Sequence, residues 1–176
     1  MRKAFAVALA VLVLPVSVLV AQSEMPKQVL SVQPLSAVFG VFSGEYERAA
    51  GTSVTWGIGA TYWGSGFSGG GSRYTSAEFK LRAYPNGVAL NGFSVGGAVG
   101  YTSVSGNGNS YSSASTIGGP TFGVLLEYQW LLGPKKEWTF ALGAGAKALF
   151  INHSDTSIDF IGKYPTARVS VGYAWR

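Results

Sequence analysis

Few side chains in this sequence could do chemistry. The single histidine, His153, is followed by Ser154 and Asp155, the residue types of a base, a nucleophile and an orienting acid. Triads work through geometry, and sequence neighbours seldom present their side chains to one another. "HSD" therefore reads first as a polar loop. Glu45 with Glu47, or Glu78 with Glu127, could serve as acid and base. The same chain carries Lys80, Arg82, Lys147 and Arg168 in comparable segments, which makes ion pairing the simpler chemistry. "GSGFSGGGS" has no Gly-Lys-Ser/Thr after it and opens no helix, so it is not a phosphate loop. With no cysteine, disulfides and thiolate metal sites are excluded. No catalytic residue, cofactor or metal site is expected.

The charged residues are placed by the pattern around them. "SAEFKLRAY" puts Glu78, Lys80 and Arg82 on alternate positions, with Ala77, Phe79, Leu81 and Ala83 between them. Period-two alternation is a strand with one charged and one apolar face. A soluble protein would turn the charges outward, and a small membrane barrel would turn them inward.

The chain has 176 residues, 25 of them Gly, is 47% hydrophobic and only 12% charged. That composition suits an all-β domain with tight turns and excludes disorder. Arg2 and Lys3, an uncharged run from Ala4 to Val20 and the small exit Ala21-Gln22-Ser23 read as a secretory signal peptide, residues 1–23. The mature domain is then 24–176, with a balance of +3 from 11 basic and 8 acidic residues. The charge is mild and scattered, so no nucleic-acid partner is expected.

Six segments alternate in a consistent phase: "TSVTWGIGATYW", "SAEFKLRAY", "NGFSVGGAVGYTSV", "TFGVLLEYQWL", "WTFALGAGAKALF" and "TARVSVGYAWR". The stretch before them is too long for one strand. It reads as two, about 28–36 and 41–48, turning near Phe39-Gly40, with Pro34 a weak point in the first. The connections alternate short ("AAG", "PNGVAL", "LGPKKE") and long ("GSGFSGGGS", "SGNGNSYSSASTIGG", "NHSDTSIDFIGKY"). This predicts an eight-stranded antiparallel up-and-down transmembrane β-barrel with both termini at the short-turn, periplasmic side.

Within these limits the apolar face of the last six strands carries no charge. Glu45, Glu47, Glu78, Lys80, Arg82, Glu127, Lys147 and Arg168 share the other face, four of each sign. A lipocalin-like soluble barrel would need to pack several aromatics per hairpin inside, but eight strands enclose little space. Lipid outside and charges inside fits better, because buried charges are tolerated when paired. Trp56, Phe93, Trp130, Trp138 and Trp175 fall near the short-turn ends, and Tyr62, Tyr101, Phe122 and Phe150 near the long-loop ends. These would form two aromatic girdles.

The chain resembles the superfamily of small eight-stranded outer-membrane barrels that includes the OmpA transmembrane domain and the opacity-type proteins. The segments "VQPLSAVFGVFSGEYERA", "AEFKLRAYP" and "GVLLEYQWLL" are similar to an uncharacterised bacterial family of such barrels. The ending "VSVGYAWR" resembles their C-terminal assembly signal through Val169, Val171, Tyr173 and Trp175, departing from it by the final Arg176. The resemblance implies an outer-membrane location and lumenal acids at Glu47, Glu78 and Glu127. It also implies contact with outer-membrane lipid and lipopolysaccharide, with periplasmic chaperones and assembly machinery during biogenesis, and a monomer. It implies no established activity. No peptidoglycan-anchoring domain is expected. Three functions stay open: a non-enzymatic structural or surface-interaction barrel with a lumen plugged by ion pairs, a lipid A-modifying enzyme acting through His153 and Asp155, and a narrow pore.

Overall fold

The computed structural model describes residues 25–64, 73–106, 115–152 and 158–176. The expected signal peptide and His153, Ser154 and Asp155 lie outside the described residues. The chain is a closed antiparallel barrel whose strands neighbour one another in sequence order. They are β1 (Gln28–Val32), β2 (Val41–Ala49), β3 (Val54–Gly64), β4 (Arg73–Ala83), β5 (Gly92–Gly106), β6 (Ser115–Leu132), β7 (Trp138–Asn152) and β8 (Ile158–Trp175). β8 closes the barrel by pairing with β1.

Side-chain alternation divides the wall into two faces. Ile58, Phe79, Val99, Phe122, Leu126 and Leu142 point outward and are exposed. Ser31, Glu45, Glu47, Thr55, Arg82, Thr102 and Glu127 point inward and are buried. The usual order of a water-soluble domain is thus inverted. Outside, rings meet around the short-turn end: a chain runs from Trp138 through Tyr173, Trp175 and Tyr46 to Trp56, and Trp130 pairs with Phe140. Phe122 meets Phe150 toward the other end.

Three details of the strands differ from the sequence reading. The segment read as a strand over 28–36 stops at Val32 and becomes a short helix, α1 (Pro34–Val38). Pro34 occupies the first helical turn, where its fixed φ and missing N–H cost nothing. The Ser36 hydroxyl donates to the Gln33 carbonyl at 2.8 Å, and Gly40 turns the chain at φ 76°. Second, β5 to β8 run further into the Gly- and Ser-rich connections than their composition suggests. Pairing to a neighbour carries a strand on where intrinsic preference would stop it. Third, the long-loop ends of β4 and β8, which reach past the segments read from the sequence, bring charge onto the outer face: Arg73 on β4 and Lys163 on β8, both exposed. Arg48 also points outward, at the short-turn end of β2.

The connection read as a simple short turn, 84–91, folds across the barrel mouth. The Tyr84 N–H donates to the Ser53 carbonyl at 2.7 Å and the Ala89 N–H to the Thr52 carbonyl at 2.6 Å. These bonds hold Leu90 under the lumen, buried among Val29, Ala174, Ala49 and Leu131. Leu90 has φ 67°, a conformation that β-carbon sterics disfavour. Its burial offsets that strain. The short-turn end of the barrel is thereby closed by an apolar cap.

Candidate functional site

The eight inward charges come from β2, β4, β6, β7 and β8, and the barrel brings all of them into one connected network. Arg82 is its hub, 1% exposed. Its Nη2 lies 2.5 Å from Glu45, its Nη1 3.2 Å from Glu47 and its Nε 3.7 Å from Glu127. These approaches are ion pairs rather than aligned hydrogen bonds, since no Arg82 nitrogen meets a side-chain acceptor at bonding angles. Arg168 reaches Glu45 at 2.7 Å, Glu127 at 3.4 Å and the Ser31 hydroxyl at 3.0 Å. Lys80 contacts Glu45 and stands 3.5 Å from Glu78, which Lys147 also contacts.

Three neutral partners complete the arrangement, and the sequence reading missed them. Thr55 donates to Glu47 at 2.5 Å, and the Tyr84 hydroxyl donates to the same oxygen at 3.0 Å. Ser31 accepts from Arg168. Ser31 and Thr55 share the phase of the lumenal charges, so parity alone could have found them. Tyr84 lies past the end of β4. Burial, and then the Glu47 charge, push its pKa far above the usual tyrosine range. It therefore stays a hydrogen-bond donor.

Room for the network comes from glycine. Across the strand pairings, Glu45 faces Gly59, Glu47 faces Gly57, Glu78 faces Gly59 and Gly100, Arg82 faces Gly96, and Gly143 separates Glu127 from Arg168. A Cβ on Gly143 would stand 3.2 Å from a Glu127 carboxylate oxygen and 3.2 Å from the Leu126 carbonyl. Gly143→Val should overpack the lumen and cost roughly 1–3 kcal/mol. Ala144→Val, on the outer face, should change stability by less than about 0.5 kcal/mol. Urea unfolding of the two variants makes the comparison. Equal midpoints would show that Gly143 gives the network no needed space.

Above the network the lumen opens into a cavity of about 180 Å³, bordered by Tyr74, Tyr164, Lys80, Lys147 and Arg168. Among the described residues no group of His, Cys, Asp and Glu could hold a metal ion. Of the C-terminal segment, Val171 and Tyr173 point outward and exposed, and Trp175 stacks beside Tyr173 in the aromatic chain. Val169 shares their parity and is half-buried.

No protein-family model and no curated protein matches the sequence. Among solved structures the chain is similar to the N-terminal β-barrel domain of Pseudomonas aeruginosa OprF. The TM-score is 0.53 and the identity 13%, over 85% of this chain and 98% of that one. At this identity the likeness is one of fold alone, a closed β-barrel.

Proposed function

We propose that the chain spans the bacterial outer membrane as a non-enzymatic structural or surface-interaction barrel, with its lumen plugged by ion pairs and both termini in the periplasm. One observation carries this reading: the barrel is apolar and aromatic outside and charged inside. In water that arrangement would leave large exposed apolar patches. In a bilayer each strand pair needs an apolar exterior with aromatic residues at the interfaces. The fold likeness to the N-terminal β-barrel domain of a bacterial OprF supports the reading as a barrel of this kind. Outer-membrane lipid and lipopolysaccharide are the proposed surroundings, with the assembly machinery reading Val169, Val171, Tyr173 and Trp175. The protein is proposed to act as a monomer.

Topology is testable with epitope tags. A tag in the long connection at 107–114 should be reached by antibody on intact cells. One in the turn at 133–136 should be reached only after the outer membrane is permeabilised. The reverse pattern, or recovery of the protein from the soluble periplasmic fraction, would overturn the proposal.

The enzymatic alternative depends on His153. His153→Ala should leave lipid A composition unchanged in expressing cells. A lipid A species made with the wild type and lost in this variant would replace the non-enzymatic reading.

A further inference from the structure

The barrel wall is not equally high all round. β1 has five residues, about half of the ~9–11 that a membrane-crossing strand uses. It pairs with β8 only over Val171–Trp175, whereas β8 continues up to Ile158. A crossing of ~9–11 residues counted from Trp175 ends near Thr166. The edge of β8 from there to Ser170 therefore lies at membrane depth without a strand beside it. On such an edge every second residue directs its N–H and C=O away from the paired neighbour. α1 packs nearby, yet among the described residues no backbone hydrogen bond joins it to β8. Open backbone at this depth is tolerated only where it is covered by protein or lines a wet cavity.

A cavity lies directly behind the gap. The 180 Å³ vestibule is bordered by Gln33, Val41 and Ser43 on one side of the gap and by Tyr164, Thr166 and Arg168 on the other. The gap is thus a window in the sheet, with α1 packed against β2 and β8 beside it. Its outer lip is apolar: Leu35, Val38 and Phe39 of the α1 segment are among the most exposed large hydrophobics. Its inner side is positive. Side-chain exposure is 21% for Lys147, 14% for Arg168 and 11% for Lys80, against 7% for Glu78, 3% for Glu45 and 1% for Glu127. The network balances in sum, but it lines the vestibule with three cations, Lys80, Lys147 and Arg168, against one carboxylate, Glu127.

We propose that this window binds one anionic, phosphate-bearing membrane lipid. The headgroup enters the vestibule beside Lys147 and Arg168, and the acyl chains stay outside against Leu35, Val38 and Phe39. Size supports an amphiphile over an enclosed ligand. Pockets that surround a drug-sized molecule measure about 300–1,000 Å³, so this one holds a headgroup and leaves the tails in the bilayer. The inference rests on the membrane-spanning reading above.

Photocrosslinking tests both layers separately. Tyr164→p-benzoylphenylalanine places the probe on the lumenal face beside the window, and Phe79→p-benzoylphenylalanine places it on the outer wall. Each protein is put in nanodiscs of equal phosphatidylcholine and phosphatidylglycerol with identical chains, irradiated and weighed. Position 79 should capture both lipids evenly. Position 164 should capture phosphatidylglycerol with a preference on the order of fivefold, and Lys147→Gln should remove most of that preference. Adducts at 79 with none at 164 would show the window closed to lipid and overturn the proposal. So would adducts at 164 without preference for the anionic lipid. Adducts at neither position would refute the membrane-spanning reading, and this inference with it.

Discussion

Arg82→Ala is expected to be the most damaging single change in the lumen. Arg82 faces three carboxylates, and their losses are unequal. Glu45 keeps Lys80 and Arg168, and Glu127 keeps Arg168. Among the described residues Glu47 keeps only the hydroxyls of Thr55 and Tyr84. Breaking a buried pair by removing one partner costs on the order of 3–5 kcal/mol, because a charge is left uncompensated. The urea midpoint of refolded barrel should fall accordingly. The stranded carboxylate is the cause, so adding Glu47→Gln to Arg82→Ala should recover part of the loss. Lys135→Ala, in an exposed turn, should shift nothing measurable. An Arg82→Ala midpoint equal to that of Lys135→Ala would mean that the network contributes little to stability.

The second large effect is on the outer wall. Phe79 lies in the middle of β4, paired across to Ile58 and Val99 and stacked on Trp56 at 6.4 Å between ring centroids. Phe79→Lys should cost roughly 2–4 kcal/mol, the penalty for a cation on the lipid face near the bilayer centre, and should block assembly in cells. In a water-soluble barrel the same change would be neutral or would aid solubility. The band that shifts on heating, diagnostic of a folded barrel in detergent, should be absent for this variant. Its persistence at wild-type level would reverse the assignment of faces.

Much of this architecture is legible in the sequence because a strand has a period of two. A run of alternating charges fixes the parity of its segment, so Glu78, Lys80 and Arg82 mark the inner face of β4, and Phe79 and Leu81 the outer, although the lone Arg73 of the same strand points outward. Which inner charges meet is a different matter. That depends on register and strand tilt, which parity does not carry, and the hub position of Arg82 emerges only once the sheet closes. The glycines opposite the charges could have been read as space, but only with the pairing known. β1 was misread because Pro34 fits both an extended edge and a first helical turn, and the Ser36 and Gly40 geometry decides for the helix. The cap at 84–91 was missed because nothing in "PNGVAL" marks Leu90 for a left-handed conformation. Its burial under the lumen is a tertiary effect.

The proposed closed lumen can be measured in one step. The network spans the barrel interior, and the Leu90 cap lies beneath it at the short-turn end. Purified wild-type protein, folded and inserted into a planar lipid bilayer, should therefore show no steady current in symmetric salt under applied voltage. Large, stable, ohmic channels from the same preparation would contradict the account and make the protein a pore.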